Sequence, residues 1–193
     1  MREISSDIRI ITVSGRIAAG STSLAKGLAR GFGWKHIEGG EIFWEAYRKR
    51  LNLAAKDTNL RPDEEDILFD NQLKHILKQD TNIVLEAKLS GFMAQGIPGV
   101  YKIGVVCEDK HGVDQTGVRI DRLVNREQVT VQEAKVEVLD REVHDLSKWR
   151  NLYASGNEDW VYWDKQYYDV MVNTFFLSQK ECVDYVLEQL ELL

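Results

Sequence analysis

Five short runs that read as strands are spaced along the chain, and longer amphipathic segments separate them. Most of these runs are apolar and rich in β-branched residues, and they end at polar residues or glycine, as buried strands do. They cover Ile8–Ser14, Lys35–Glu38, Thr81–Ala87, Val100–Glu108 and Tyr168–Thr174. Strands that alternate with helices predict an α/β fold, in which helices cover both faces of a parallel sheet.

The segments between the strands predict helices from the spacing of their apolar residues. The clearest is Asp63–Gln79, which follows Pro62 and is expected to turn these side chains inward: Ile67, Leu68, Leu73, Ile76 and Leu77. The other predicted helices are Ser21–Arg30, Glu41–Leu53, Val118–Glu127, Thr130–Tyr153 and Ser178–Leu193. Because ligands of such folds bind at the carboxyl ends of the strands, the loops that follow the strands are the first place to look for chemistry.

Composition narrows the class of protein. The chain has 193 residues, 44% hydrophobic and 29% charged, which suits one globular domain. Its net charge of -6 argues against nucleic-acid binding through bulk positive charge. Cys107 and Cys182 have neither metal-site nor disulfide spacing and are expected to be buried thiols, and the histidines form no zinc motif. No apolar stretch approaches the ~18 residues that a membrane span needs, so we expect a cytoplasmic protein.

A glycine-rich loop follows the first predicted strand. The pattern G-x-x-x-x-G occurs at Gly15/Gly20, Gly91/Gly96, Gly99/Gly104 and Gly112/Gly117. Only the first of these joins a buried strand to a helix that opens with hydroxyl residues. Backbone amides in such a turn, together with the helix N-terminus, attract phosphate, and Thr22 stands where a hydroxyl can bind Mg²⁺. The alternative is an ordinary strand-to-helix turn capped by Ser21 or Thr22.

The loop lacks the lysine of the usual phosphate-binding motif. Ser21 occupies that position, so the positive charge that reaches the outer phosphates is missing. Arg16, inside the loop, is a candidate substitute, whereas Lys26 lies one helical turn further on and is expected to point away.

Three further stretches, taken in order with the loop, resemble the cytidylate kinases of the P-loop nucleoside monophosphate kinases, above all their archaeal-type branch. The stretches are HIEGGEIFWE, VLEAKLSGFMA and YDVMVNT. The resemblance covers nearly the whole chain and implies a three-layer P-loop kinase fold of five parallel strands. It also implies a single domain over residues 1–193, with an NMP-binding segment at 39–80 and a lid with flanking helices at about 109–153. The implied activity is transfer of the γ-phosphoryl of ATP, with Mg²⁺, to CMP or dCMP.

The resemblance also implies roles for individual residues. Those expected to bind ATP are Gly15, Arg16, Ala18, Ala19, Gly20, Ser21, Thr22 and Ser23. Thr22 and Glu86 are expected to hold the metal ion. Residues expected to act in catalysis are Lys88, Arg119, Arg122 and Arg126. Those expected to bind the acceptor are Gly39, Lys88, Arg141, Asp145 and Lys148. On the residues alone, the arginines could instead form a solvated helix face, and Arg141, Asp145 and Lys148 a surface pairing.

Several acceptor-side positions depart from the family pattern. Gly39 and Trp44 replace a serine and an arginine, and lysines replace arginines at Lys88 and Lys148. One lost arginine–phosphate contact costs about 1.5–3 kcal/mol, so either Arg48 and Lys49 compensate or the acceptor is not CMP. Two classes therefore remain open: a phosphotransferase for CMP or a related acceptor, and a non-catalytic nucleotide-binding module. We expect a monomer or dimer that binds small molecules, neither nucleic acid nor membrane.

Overall fold

A computed structural model of the chain describes residues 7–42 and 62–191. Its five parallel strands lie in the order β2-β3-β1-β4-β5. They are β1 (Ile10–Gly15), β2 (Lys35–Glu38), β3 (Ile83–Glu86), β4 (Val100–Val106) and β5 (Val170–Asn173). All five predicted strands are confirmed, and most are shorter than the apolar runs that predicted them.

Helices cover both faces of the sheet, which makes three layers. They are α1 (Ser21–Phe32), α2 (Asp63–Gln79), α3 (Ser90–Met93), α4 (Thr116–Glu127), α5 (Val131–Lys135), α6 (Glu142–Tyr153) and α7 (Gln179–Glu191). α1 and α7 pack on one face through Leu24, Leu28 and Val186, whereas α2 packs on the other through Leu73 and Leu77. Ser178 and Glu181 exchange hydrogen bonds at the start of α7, which forms a capping box. Cys107 and Cys182 are free and buried, as expected.

The inward face of α2 differs from the prediction. Leu73 and Leu77 are buried, but Ile67 and Leu68 are 43% and 47% exposed. Asp66 and Asp70 take the inward positions instead, and each is only 4% exposed. Their carboxylates have partners on α6, Lys148 and Tyr153, and those polar contacts decide which face turns inward.

The lid region packs directly on the glycine-rich loop. Ile120 and Leu123 of α4 form a small apolar cluster with Ala134 and Val138, and Ile17 and Ala18 of the loop contact this cluster. The helix predicted over Thr130–Tyr153 is confirmed from Val131 onward, with a π-helical stretch at Val136–Arg141 between α5 and α6. The region predicted to be the lid is therefore anchored to the loop by apolar contacts as well as by charges.

None of the helices in the described part of the chain has the length and apolar character of a membrane span.

Aromatic residues of α3, α6 and the segment after α6 pack against one another. Phe92 contacts Tyr153, Trp160 and Tyr167, and Tyr162 contacts Trp149 and Trp163. These rings belong to the same apolar cluster as Leu73 and Leu77 of α2.

Candidate active site

The glycine-rich loop connects β1 to α1 in a conformation that exposes backbone amides. Gly20 precedes the helix with φ of 113°, in the left-handed region, and a Cβ there would lie 3.1 Å from the side chain of Thr174. No side chain caps the helix at this residue. The first amides of α1 thus remain available to an anion, as phosphate-binding loops require.

The hydroxyls of Ser21 and Thr22 meet at one carboxylate. Ser21 Oγ and Thr22 Oγ1 donate hydrogen bonds to Glu86 Oε1 at 2.9 and 2.8 Å. Parallel pairing of β1 with β3, with Val13 opposite Glu86, brings the end of β3 beside the loop. The interpretation of Ser21 or Thr22 as a simple helix cap is therefore wrong, since both hydroxyls turn toward a neighbouring strand.

The second carboxylate oxygen of Glu86 is not bound by the hydroxyls of Ser21 and Thr22. This oxygen, Oε2, is buried and accepts no hydrogen bond within the part of the chain that the structure describes, and His36 Nε2 lies 3.5 Å away. Over the same residues, no cluster of three or more acidic, histidine or cysteine side chains could hold a metal. One carboxylate beside a hydroxyl nevertheless fits Mg²⁺, which prefers oxygen ligands and keeps phosphate and water ligands besides.

A cavity of about 560 Å³, which we call the donor pocket, opens beside the loop. Of the residues predicted to bind ATP, Ala18, Gly20, Thr22 and Ser23 line it, whereas Gly15, Arg16, Ala19 and Ser21 are not among its lining residues. Seven further lining residues, from α1, α4, the loop after β5 and α7, were not predicted as site residues: Leu24, Asn125, Thr174, Leu177, Ser178, Gln179 and Cys182. Thr174 just after β5 and Ser178 just before α7 were the available signal.

The three predicted lid arginines occupy different depths. Arg119 is fully buried, and its guanidinium binds Asp114, Glu142 and the carbonyl of Ile17. Arg122 lines the donor pocket and donates to the carbonyl of Ala19 and to Thr174, so it braces the loop. Arg126 also lines the donor pocket, and its side chain is 53% exposed. A uniformly solvated helix face is therefore excluded, while the catalytic roles remain predictions.

Arg16 leaves the loop toward the lid. Its guanidinium donates to Glu142 Oε1, lies 3.1 Å from Asp114 Oδ1, and stacks 4.4 Å above the ring of Trp163. Burial alone would lower the pKa of Arg16, but the hydrogen bond and charge of Glu142, with the charge of Asp114, raise it. The guanidinium is therefore a permanent cation beside the loop.

A second cavity, which we call the acceptor cavity, encloses about 100 Å³ on the other side of Glu86. Its lining is Gly40, Asp66, Phe69, Asp70, Ala87, Lys88, Leu89, Arg141, Asp145 and Trp149. Lys88, Arg141 and Asp145, predicted from distant parts of the sequence, meet here: Asp145 Oδ2 lies 2.8 Å from Lys88 Nζ and 3.8 Å from Arg141 Nε. The reading of these residues as an ordinary surface pairing is wrong, because Asp145 is only 4% exposed.

The other acceptor-side predictions have separate positions. Lys148 lies behind the cavity, with Nζ 2.6 Å from Asp66 and 3.2 Å from Asp63, so it ties α6 to α2. Tyr153 of α6 donates a hydrogen bond to Asp70 one turn along α2. Gly39 begins a helical stretch at residues 39–42, and a Cβ there would lie 2.9 Å from Cβ of Ala87. Trp44, Arg48 and Lys49 lie outside the described residues.

Comparison with known proteins decides the family. No family model matches the chain. The cytidylate kinase of Haloquadratum walsbyi is 31% identical over 179 residues, which cover 91% of this chain and 85% of that protein. The cytidylate kinase of Natronomonas pharaonis is 30% identical over 172 residues, covering 88% and 82%. The chain belongs to the cytidylate kinase family.

Family membership confirms the prediction of a nucleoside monophosphate kinase, an enzyme that uses ATP as phosphoryl donor. The shikimate kinase of Bacteroides thetaiotaomicron superposes with a TM-score of 0.57 at 17% identity, over 95% of this chain and 98% of that one. That likeness confirms the P-loop kinase fold. In this member of the cytidylate kinase family, Thr22 of the donor pocket is hydrogen-bonded to Glu86 at the end of β3, and Ala87 and Lys88 line the acceptor cavity.

Proposed function

We propose that the chain transfers the γ-phosphoryl of ATP, bound with Mg²⁺, to CMP or dCMP. One observation carries the proposal: the end of β3 and the two residues after it connect the two cavities. Thr22 of the donor pocket donates to Glu86, and the next two residues, Ala87 and Lys88, line the acceptor cavity. Two ligands bound on the two sides would meet at that point, as direct phosphoryl transfer requires.

On the donor side, the chain offers amides, hydroxyls and one carboxylate. The exposed amides at the start of α1 would bind the phosphates, and Thr22 and Glu86 would hold the metal ion. Mg²⁺ bound there would neutralise charge on the transferred group. Arg122 and Arg126 would flank the nucleoside of ATP, since both line the donor pocket.

On the acceptor side, charges and rings suit a nucleoside monophosphate. Lys88 and Arg141 provide two cations for its phosphate, and both are paired with Asp145 in this structure. Phe69 and Trp149 offer aromatic faces for the base. The carboxylates of Asp66 and Asp70 suit an amino group, because carboxylates accept hydrogen bonds from the exocyclic amine of cytosine.

The reaction needs positioning more than covalent help from the protein. An oxygen of the acceptor phosphate attacks the γ-phosphorus. The bond from that phosphorus to the β–γ bridging oxygen breaks, and its electron pair leaves on ADP. Lys88 at the end of β3 would hold the attacking phosphate in line, and closure of the cavities would exclude water as a competing nucleophile.

The test is an ADP-release assay with ATP and Mg²⁺ against CMP, dCMP, UMP, AMP and small hydroxyl compounds. CMP or dCMP should give the highest kcat/KM. Arg141→Ala should raise the acceptor KM about tenfold or more and leave the ATP KM nearly unchanged, because Arg141 lines the acceptor cavity and is not among the residues that line the donor pocket. Lys180→Ala, at an 85% exposed side chain on α7, is the matched control and should change neither KM. A flat result across the panel, with ATP still raising the melting temperature, would contradict the proposal.

A second candidate acceptor is a small polyhydroxylated compound. The acceptor cavity encloses only about 100 Å³, and its three carboxylates, Asp66, Asp70 and Asp145, could accept hydrogen bonds from hydroxyls. Turnover of a small hydroxyl compound with none of CMP or dCMP would favour this candidate.

A further inference from the structure

The donor site of this chain has no cation at the lysine position of its loop, since Ser21 stands there and its hydroxyl is bound to Glu86. Outer phosphates of a nucleoside triphosphate carry the highest charge density, so a loop without a lysine leaves them with amides and metal alone. The question is which described cation could reach them.

Four nearby cations have other positions or contacts. Arg122 is fixed by hydrogen bonds to the backbone of Ala19 and to Thr174. Arg126, whose side chain is 53% exposed, lines the donor pocket from α4, where we propose that it flanks the nucleoside. Arg119 is fully buried behind the loop. Lys88 faces the acceptor cavity, where Asp145 holds it. Arg16 differs from them, because it belongs to the loop itself and, within the described residues, side chains hold its guanidinium.

Arg16 shares both of its carboxylate partners with Arg119, so its guanidinium can move away without leaving either carboxylate without a cation. Asp114 binds Arg16 through Oδ1 and Arg119 through Oδ2. Glu142 binds Arg16 through Oε1 and Arg119 through Oε2. If Arg16 swings away, both carboxylates keep a salt bridge to the buried Arg119. The usual penalty for stranding a buried charge is therefore much reduced.

We propose that Arg16 supplies the donor's terminal phosphates with the positive charge that the loop lacks at Ser21, and that Glu142 and Asp114 hold its guanidinium until the donor binds. Glu142 lies three residues before Asp145 on α6, so the same helix holds a donor-side cation and an acceptor-side cation, each on a carboxylate. The inference rests on the proposed use of ATP as donor and deepens it.

The first measurement is ATP affinity without acceptor, by calorimetry in the presence of Mg²⁺. Arg16→Ala should weaken ATP binding about 10- to 100-fold, the usual range for one charge-assisted contact to phosphate. AMP, which lacks the outer phosphates, should change much less. In the Arg16→Ala background, Ser21→Lys should restore most of the ATP affinity, because it returns a cation to the position of the standard motif.

The second measurement follows the guanidinium directly. Arg16 stacks on Trp163, so its departure on ATP binding should change tryptophan fluorescence. The change should disappear in Arg16→Ala and in Trp163→Phe, which assigns the signal to this pair.

The rescue separates a phosphate contact from a structural role. If Arg16 only braced the lid through Glu142, Ser21→Lys would not restore affinity in the Arg16→Ala protein, and that result would overturn the inference. Unchanged ATP affinity in Arg16→Ala would overturn it as well. Arg16→Ala combined with Glu142→Gln also removes the carboxylate charge that Arg16 had paired, and it should show the same ATP defect in a folded protein. Because no acceptor is present, failure here is distinguishable from a wrong acceptor in the ADP-release assay.

Discussion

Lys88 Nζ lies 2.8 Å from Asp145 Oδ2, so a cation at the end of β3 is held by a carboxylate of the lid helix α6. Burial lowers the pKa of Lys88, the charge of Arg141 lowers it further, and Asp145 opposes both without cancelling them. The proton on this amine is therefore lost at a lower pH than on an ordinary lysine.

The lowered pKa predicts an alkaline limb in the pH profile of acceptor use. kcat/KM for the acceptor should fall as pH rises through the pKa of Lys88, below the ordinary lysine range. Lys88→Arg should move the limb upward, because arginine stays protonated. An unchanged limb in Lys88→Arg would assign the titration to another group.

The contribution of Lys88 to the free energy of unfolding should rise with pH over the range in which kcat/KM for the acceptor falls. Between the lowered folded-state pKa and the unfolded-state pKa of Lys88, the unfolded chain holds more protons, so this residue's contribution makes stability rise with pH. Urea unfolding across that interval, compared between the unmodified chain and Lys88→Met, measures the contribution. A Lys88→Met protein with the same pH slope would contradict it.

Thr22→Ala should reduce Mg²⁺-dependent turnover about tenfold or more, as loss of groups around a metal generally does. Thr22 Oγ1 lies 2.8 Å from Glu86 Oε1, where the metal ion is expected. Turnover measured against Mg²⁺ concentration tests this, with Thr22→Ser as the control that keeps the hydroxyl. Equal metal dependence in all three proteins would remove Thr22 from the metal site.

Arg119→Met should destabilise the fold by about 3–5 kcal/mol, since it removes a buried cation and leaves Asp114 and Glu142 with Arg16 alone, so that one carboxylate charge is no longer compensated. Its side chain is 0% exposed and bridges Asp114 to Glu142. Arg126→Ala, seven residues along the same helix and 53% exposed, should change the free energy of unfolding by no more than about 0.5 kcal/mol. Urea unfolding of both variants provides the comparison, and similar values would argue against a buried ionic centre.

Gly39→Ala should destabilise the fold by about 1–3 kcal/mol, the typical cost of overpacking. The new Cβ would lie 2.9 Å from Cβ of Ala87, 3.2 Å from the carbonyl oxygen of Glu86 and 3.2 Å from the ring of Phe69. Gly40→Ala is the matched control, because a Cβ there meets no atom of the described residues within 4 Å. Adding Ala87→Gly to Gly39→Ala should recover part of the loss. Equal melting temperatures for the two alanine variants would show that the close approach does not constrain position 39.

Apolar periodicity predicted the sheet and most helices because strand and helix patterns are local. It could not predict the inward face of α2, where Asp66 and Asp70 are buried against Lys148 and Tyr153 of a helix some eighty residues away. A pattern of apolar residues carries no information on which carboxylate has a partner, so Ile67 and Leu68 were placed on the wrong side.

Part of the candidate site could also be predicted from local sequence patterns. The loop follows β1 and Glu86 ends β3, so a parallel sheet is expected to bring the two together. The lining of the donor pocket by Ser178 and Gln179, and the sharing of Glu142 between Arg16 and Arg119, depend on how distant elements pack. Those relationships appear only in three dimensions.

The π-helical stretch at Val136–Arg141 has a consequence for how chain length can vary in this region. A wide turn of this kind is a regular helix that has accommodated one additional residue, and one residue of an α-helix corresponds to a rotation of about 100°. Removing a single residue there would leave an unbroken helix but rotate Thr130 and α5 relative to Glu142 and Asp145. A one-residue deletion would thus reorient α5 and the residues before it, while Glu142 and Asp145, which bind Arg16 and Lys88, keep their positions.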